Sequence, residues 1–203
     1  MLTFDHIAIA TTSLDTGSEE VEDALQLKLE SGGQHPAMGT HNKLLSLGPD
    51  YLEVIATDPL GVAPSRPRWF DLDNFTGAAR ATTWICRCDD LGAALAAAPP
   101  GAGEPLLLAR ADLRWRMAVP ADGKLPFAGL FPALMQWDSE AHPAPRLTDQ
   151  GARLIGLELY SPQADALRAA LDSLIDDPRI KVIAADEPRM RLSLKTPKGM
   201  VVL

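Results

Sequence analysis

The chain is poor in cysteine and aromatic residues, carries more acid than base, and has no long apolar run. Its two cysteines, Cys86 and Cys88, stand two apart in a strand-like segment. The backbone between them is too short and stiff for an easy disulfide, and no other soft ligand nearby completes a metal site. They read as buried, reduced thiols. No stretch approaches the roughly 20 apolar residues that span a bilayer. The opening Met1-Leu2-Thr3-Phe4-Asp5 lacks the basic and hydrophobic regions of a secretory signal, so the expected location is cytoplasmic. A formal charge of −8 and a pI near 4.9 argue against a nucleic-acid surface, which needs clustered positive charge. No serine or cysteine sits in a recognisable nucleophile context, and no phosphate-binding glycine motif is present.

What is present is a repetition. At 203 residues the chain is long enough for one large domain or a fusion of small units, and three segments follow the same order. The run Phe4–Thr11 leads through Ser13-Leu14-Asp15 into a helical stretch reaching about Leu29. The run Ala81–Cys88 leads through Asp89-Asp90-Leu91 into an alanine-rich helix ending before Pro99. The run Leu154–Tyr160 passes Ser161-Pro162 into a helix over 164–175. Asp and Ser at helix entrances accept hydrogen bonds from free backbone N–H groups, and Pro162 suits a helix start. Three short strand candidates follow each helix, separated by turn residues such as Gly48-Pro49-Asp50 and Pro197-Lys198-Gly199. The unit is strand–helix–strand–strand–strand. The expected organisation is a first module over 1–58, an aromatic and Pro-rich linker over 59–80, a second module over 81–140, and a third over 152–203. A period this long points to modules whose sheets pair, not to a solenoid. Such pairing is expected within the chain or, since an edge is left over, with a second chain as a homodimer.

The polar residues inside this apolar pattern are the candidates for chemistry. His6 shares a strand face with the small Ala8 and Ala10. Glu53 interrupts the apolar Tyr51-Leu52-Val54-Ile55. His35 and His41 flank a loop containing Gly39, with Thr40 and Asn42 beside them. Ionisable groups in such settings are costly unless paired, bound or used. Trp69, Phe70 and Phe75 make the first linker a candidate flap over a cup. Arg87 falls on the strand face of Thr83, where a guanidinium could receive a carboxylate or phosphate. Arg114 and Arg116 read as a solvated sheet face, and His142, in a Pro-rich connector, as a surface residue.

The opening Asp5-His6-Ile7-Ala8-Ile9-Ala10, the Tyr51-Leu52-Glu53 strand and the Phe131-Pro132-Ala133-Leu134-Met135-Gln136-Trp137 strand resemble the vicinal oxygen chelate superfamily. Gly39-Thr40-His41-Asn42 followed by Tyr51-Leu52-Glu53 is similar, more narrowly, to its glyoxalase-like domain family. The resemblance implies an α+β fold in which tandem βαβββ modules form a cup-shaped mixed sheet, with an extra C-terminal module. It also implies metal ligands on the first and last strand of each module: His6, Glu53 and Gln136, with Thr83 opposite His6 when Leu14 is matched to Leu91. One divalent ion is the cofactor so implied. The set is chemically weak, because an amide is a neutral ligand and a threonine hydroxyl a poor one. A ring-cleaving dioxygenase, which needs two histidines and a carboxylate, is disfavoured. The expected function is small-molecule lyase or isomerase chemistry, a proton transfer on a polar, oxygen-rich substrate. Glu53 and His41 are its catalytic residues; His35, Thr40, Asn42, Arg87 and Trp69 bind the substrate. The alternative is a non-catalytic protein that sequesters a small molecule. Neither nucleic acid nor membrane is an expected partner.

Overall fold

The computed structural model describes residues 1–203. The first module comprises β1 (Thr3–Ala10), α1 (Leu14–Leu25), β2 (Glu30–His35), β3 (Thr40–Ser46) and β4 (Tyr51–Thr57). The second comprises β5 (Arg80–Arg87), α2 (Leu91–Ala97), β6 (Glu104–Arg110), β7 (Leu113–Val119) and β8 (Ala133–Trp137). The third comprises β9 (Arg153–Ser161), α3 (Ala164–Asp172), β10 (Ile180–Ala184), β11 (Arg189–Thr196) and β12 (Gly199–Val202). Ser13 and Asp90 cap α1 and α2 by accepting from the N–H groups of Thr16 and Ala93. Helix α1 stops at Leu25, short of the expected Leu29, because Gln26 takes the left-handed conformation (φ 55°).

The first two modules join within the chain. Their strands make one eight-stranded sheet in the order β2-β3-β4-β1-β5-β8-β7-β6, with β1 antiparallel to β5 at its centre. In each module the first strand runs parallel to the last, β1 to β4 and β5 to β8. The sheet curls strongly into a half-barrel, the expected cup. Its edge strands β2 and β6 approach so closely that a Cβ on Gly33 would lie 2.8 Å from Arg110 Cδ.

The third module repeats the succession of elements but not their arrangement. Its sheet has the order β10-β9-β11-β12, with β9 lying between a parallel β10 and an antiparallel β11. Leu157, Leu159, Leu167, Leu171, Leu192 and Leu194 from this module share one core with Ile7, Ile9, Trp84 and Leu134 from the convex face of the cup. Burying each such side chain contributes about 1.5–3 kcal/mol, so the module closes the back of the β1–β5 seam. A separate cluster, including Ala8, Ile55, Ile85, Trp115 and Met135, lines the concave face. No helix is long and apolar enough to cross a membrane.

The central ladder slips twice. Phe4 pairs with Cys86 and His6 with Ile85, leaving Asp5 as an extra residue on β1. Ala8 pairs with Thr83 and Ile9 with Ala81, leaving Thr82 as an extra residue on β5. Each slip is a β-bulge, which re-aims the side chains beside it. The two bulges match His6 to Thr83, as the alignment of Leu14 with Leu91 predicts.

Candidate functional site

Because Asp5 is the bulged residue, Asp5 and His6 do not point to opposite faces as strict strand alternation requires. Asp5 is wholly buried and is the hub of the site. Its Oδ1 lies 2.7 Å from His6 Nδ1, while its Oδ2 accepts from Trp137 Nε1 at 3.1 Å, His142 Nε2 at 3.0 Å and Arg87 Nη1 at 3.3 Å. Burial by itself raises the pKa of this carboxyl, but hydrogen bonds and charge from His142 and His6 outweigh it and hold it well below the usual carboxylate range. Asp5 is therefore an acceptor only, and the Nδ1 of His6 facing it carries the proton. Tyr51 pairs with His6 across β1 and β4, and its ring stacks on the imidazole at 4.3 Å. Burial, then the carboxylates of Asp5 and Glu53, push the Tyr51 phenol well above its usual value, so it stays neutral.

The other ring nitrogen of His6, Nε2, faces Glu53 Oε2 at 3.7 Å. Glu53 is itself anchored from behind: its Oε1 accepts from Asn42 Nδ2 at 2.5 Å. Asn42 Oδ1 in turn accepts from Gly33 N at 2.8 Å and Arg110 Nη1 at 3.2 Å. Glycine is required behind Asn42, since a Cβ on Gly32 would lie 2.0 Å from its Oδ1. Arg110 Nη1 also donates to His35 Nε2 at 3.2 Å, and the opposite nitrogen, Nδ1, meets the Thr40 hydroxyl at 3.1 Å. Burial first, then the Arg110 charge, lowers the His35 pKa to about 3, so this ring is neutral. Around these polar groups stand Trp69, Phe70, Trp115 and Trp137. The free space left inside the chamber is about 30 Å³, room for roughly one or two waters.

The structure thus brings together His6, Glu53, Asn42, His35, Thr40 and Trp69, all named from the sequence. It does not bring in three others. His41 pairs with Ala56, whose side chain belongs to the convex core, so the parity of β3 turns His41 away from the chamber that its neighbour Asn42 enters. Arg87 is spent on Asp5 and the Phe4 carbonyl, outside the chamber. Gln136 points to the convex side, where its Oε1 caps α2 by accepting from Leu91 N at 2.9 Å. Its neighbours Met135 and Trp137 face the chamber. Arg116 forms a surface pair with Asp138, as its placement on a solvated face requires.

Sequence reasoning missed Asp5, Arg110 and the role of His142. An aspartate inside an apolar strand is itself a signal, since burying it needs compensating donors. His142 gave no such signal, because only the path of its connector lays it on Asp5.

The implied metal does not fit. Ala8 pairs with Glu53, and Ile85, its counterpart across the seam, pairs with Ala133. The position matched to Glu53 is therefore Ala133, not Gln136, and the position matched to His6 is Thr83. Two of the four places offer no strong ligand, and no three His, Cys, Asp or Glu side chains converge so as to hold an ion.

Residues 4–175 match the family described as the glyoxalase-like domain. No curated protein sequence matches the chain. Among solved structures, a hypothetical protein from Staphylococcus aureus aligns over 100% of this chain and 84% of its own, at 16% identity and a TM-score of 0.56, a likeness of fold. A hypothetical protein from Bacillus halodurans C-125 aligns over 70% of this chain and 97% of its own, at 16% identity and a TM-score of 0.47. Methylmalonyl-CoA epimerase from Streptomyces coelicolor, in complex with 2-nitronate-propionyl-CoA, aligns over 70% of this chain and 100% of its own, at 17% identity and a TM-score of 0.44. With a shared family pattern spanning both modules of the cup, the chain belongs to the glyoxalase-like domain family.

Proposed function

We propose that the protein is an isomerase or lyase that enolises a small carbonyl compound, using Glu53 as base and His6 as acid without a metal. The observation that carries this reading is the opposition of His6 Nε2 and Glu53 Oε2 at 3.7 Å, each held from behind by its own partner. Groups fixed on their far sides keep one free atom each, and both free atoms aim at one point. Their separation suits simultaneous contact with the oxygen and the adjacent carbon of one C–C=O unit. Glu53 Oε2 takes the proton from that carbon and the C–H electron pair moves into the carbonyl. The carbonyl oxygen takes a proton from Nε2 of His6 in its doubly protonated form, whose Nδ1–H stays on Asp5, giving the enol, a neutral imidazole and a protonated Glu53; return of a proton to carbon completes an isomerisation. General acid–base catalysis of this kind contributes about 10²–10⁴-fold. Arg110 and Trp69 both line the chamber; Arg110 supplies positive charge for the developing oxyanion, and the Trp69 Nε1, buried without a partner in the protein, is an unused donor.

A second reading is supported by the three indoles that line so small a chamber: a protein that encloses a ligand without changing it. Proton exchange separates the two. In D₂O, small 2-oxo acids, β-keto acids and hydroxy ketones should exchange their acidic C–H in the presence of the protein, followed by NMR. E53Q and H6Q should slow that exchange at least 100-fold, and a cooperative thermal melt should show that both variants are folded. Equal exchange by E53Q and the unaltered protein would remove the assignment, and binding without exchange would favour the second reading.

A further inference from the structure

The chamber is too small to hold more than the reacting atoms of a substrate, yet a far larger cavity lies beside it. A cleft of about 520 Å³ opens between the linker that carries Phe70, the 124–130 loop of the second module, and the start of β11 in the third. Phe70 lines both spaces and is the wall between them. Thr83, on the concave face of β5 two pairs along the ladder from His6, lines the cleft as well.

The cleft runs against the charge of the molecule. In a chain with net charge −8, its lining holds three cations, Arg80, Lys124 and Arg189, against one acid, Asp71. None of the three cations is in an ion pair; Arg80 and Arg189 instead lie over the rings of Phe75 and Tyr160 at 4.2 and 4.0 Å. Stacking holds both guanidinium groups in place; Arg80 Nη1 donates to the carbonyls of Thr76 and Ala78 at 2.7 and 3.3 Å, and the remaining donors of the two groups form an arrangement suited to carboxylate or phosphate. The Thr82 hydroxyl in the cleft wall has no partner in the protein, and a polar atom so left is costly. The backbone of Phe70 and Asp71 stands in the left-handed region (φ 62° and 55°), as does Ala128 on the facing loop (φ 55°). For residues with side chains this is strain held in place by the surroundings.

We propose that this cleft binds the anionic end, a carboxylate or a phosphate, of the molecule whose carbonyl enters the chamber, with Phe70 as the movable partition between them. The proposal rests on the enolisation reading for what happens in the chamber, but the binding it assigns is read without any chemistry. It also gives the third module a part in the site, since Arg189 comes from β11.

Isothermal titration with phenyl phosphate, benzoate and inorganic phosphate tests it. One of the two organic anions should bind, which tells phosphate from carboxylate, and the K124E/R189E double variant should weaken that binding at least tenfold. Both side chains are exposed and free of ion pairs, so a thermal melt should show the variant folded. E53Q should bind the same probe with the affinity of the unaltered protein, whatever its proton exchange. Absence of binding by either organic anion, equal affinity in K124E/R189E, or loss of binding in E53Q would each overturn the assignment.

Discussion

Asp5 Oδ1 takes the Nδ1–H of His6 at 2.7 Å while its Oδ2 gathers three further donors, from Trp137, His142 and Arg87. One buried carboxylate therefore ties together β1, β5, β8 and the connector after β8. It also sets the tautomer of His6: the proton on Nδ1 is committed to Asp5, so Nε2 is the atom left to face Glu53. His142 is fixed in the complementary form, with Nε2–H on Asp5 and Nδ1 accepting from Ala144 N at 3.2 Å.

Replacing that carboxylate by its amide, D5N, keeps the shape and removes the charge. One side of the new group presents N–H to donors that have nothing else to bind. Breaking a buried, fully paired charge costs about 3–5 kcal/mol, and the retained oxygen moderates this, so a loss of roughly 3 kcal/mol is expected by denaturant unfolding. Proton exchange should fall as well, because His6 loses its fixed tautomer. A D5N protein within about 0.5 kcal/mol of the unaltered one, the range of ordinary surface changes, would show that Asp5 is not the hub.

The modules were legible because hydrophobic period, capping residues and turn residues agree three times over. Which side chains meet was less legible, because a single residue of parity decides it. His41 and Asn42 are neighbours, and pattern alone favoured the histidine; pairing across β3 and β4 gives the chamber to Asn42. Gln136 lost its place to the same parity, and Ala133, an unremarkable residue in sequence, proved to be the match of Glu53. The bulges at Asp5 and Thr82 leave no local mark. Arg110 arrives from the opposite edge strand, a contact set by the curl of the whole sheet. The order of strands in the third module is likewise absent from the succession of its elements.

His35 makes stability depend on pH in a definable window. An unfolded histidine takes a proton near pH 6.5, whereas the native ring, buried beside Arg110, resists it down to about 3. Between these values the unfolded chain binds more protons, so stability falls as pH drops. The contribution is fully present above about 6.5 and is lost progressively toward 3. Its slope approaches about 1.4 kcal/mol per pH unit, giving roughly 2 kcal/mol between pH 7 and pH 5. Denaturant unfolding at pH 7, 6 and 5 should show this loss, and H35Q, which has no titrating ring, should flatten it. The same slope in both proteins would locate the proton elsewhere.

The half-built metal site can be completed. His6 and Glu53 are donors from the first module, while Thr83 and Ala133 stand at the matched positions of the second. The double substitution T83H/A133E would set two imidazoles and two carboxylates around one point of the cup, a donor set suited to divalent first-row ions. After loading with Ni²⁺ or Zn²⁺ and dialysis, this variant should retain about one ion per chain, and the unaltered protein none. Excess ion should raise its thermal midpoint, since a ligand that binds only the folded state stabilises it by mass action. Adding E53Q to the double variant should abolish retention, because it replaces a charged ligand by a neutral amide. Without metal, T83H/A133E should be less stable than the unaltered protein, since Ala133 is fully packed and a carboxylate there has no partner. A folded T83H/A133E protein that holds no ion would mean that the two halves do not converge as their registers imply.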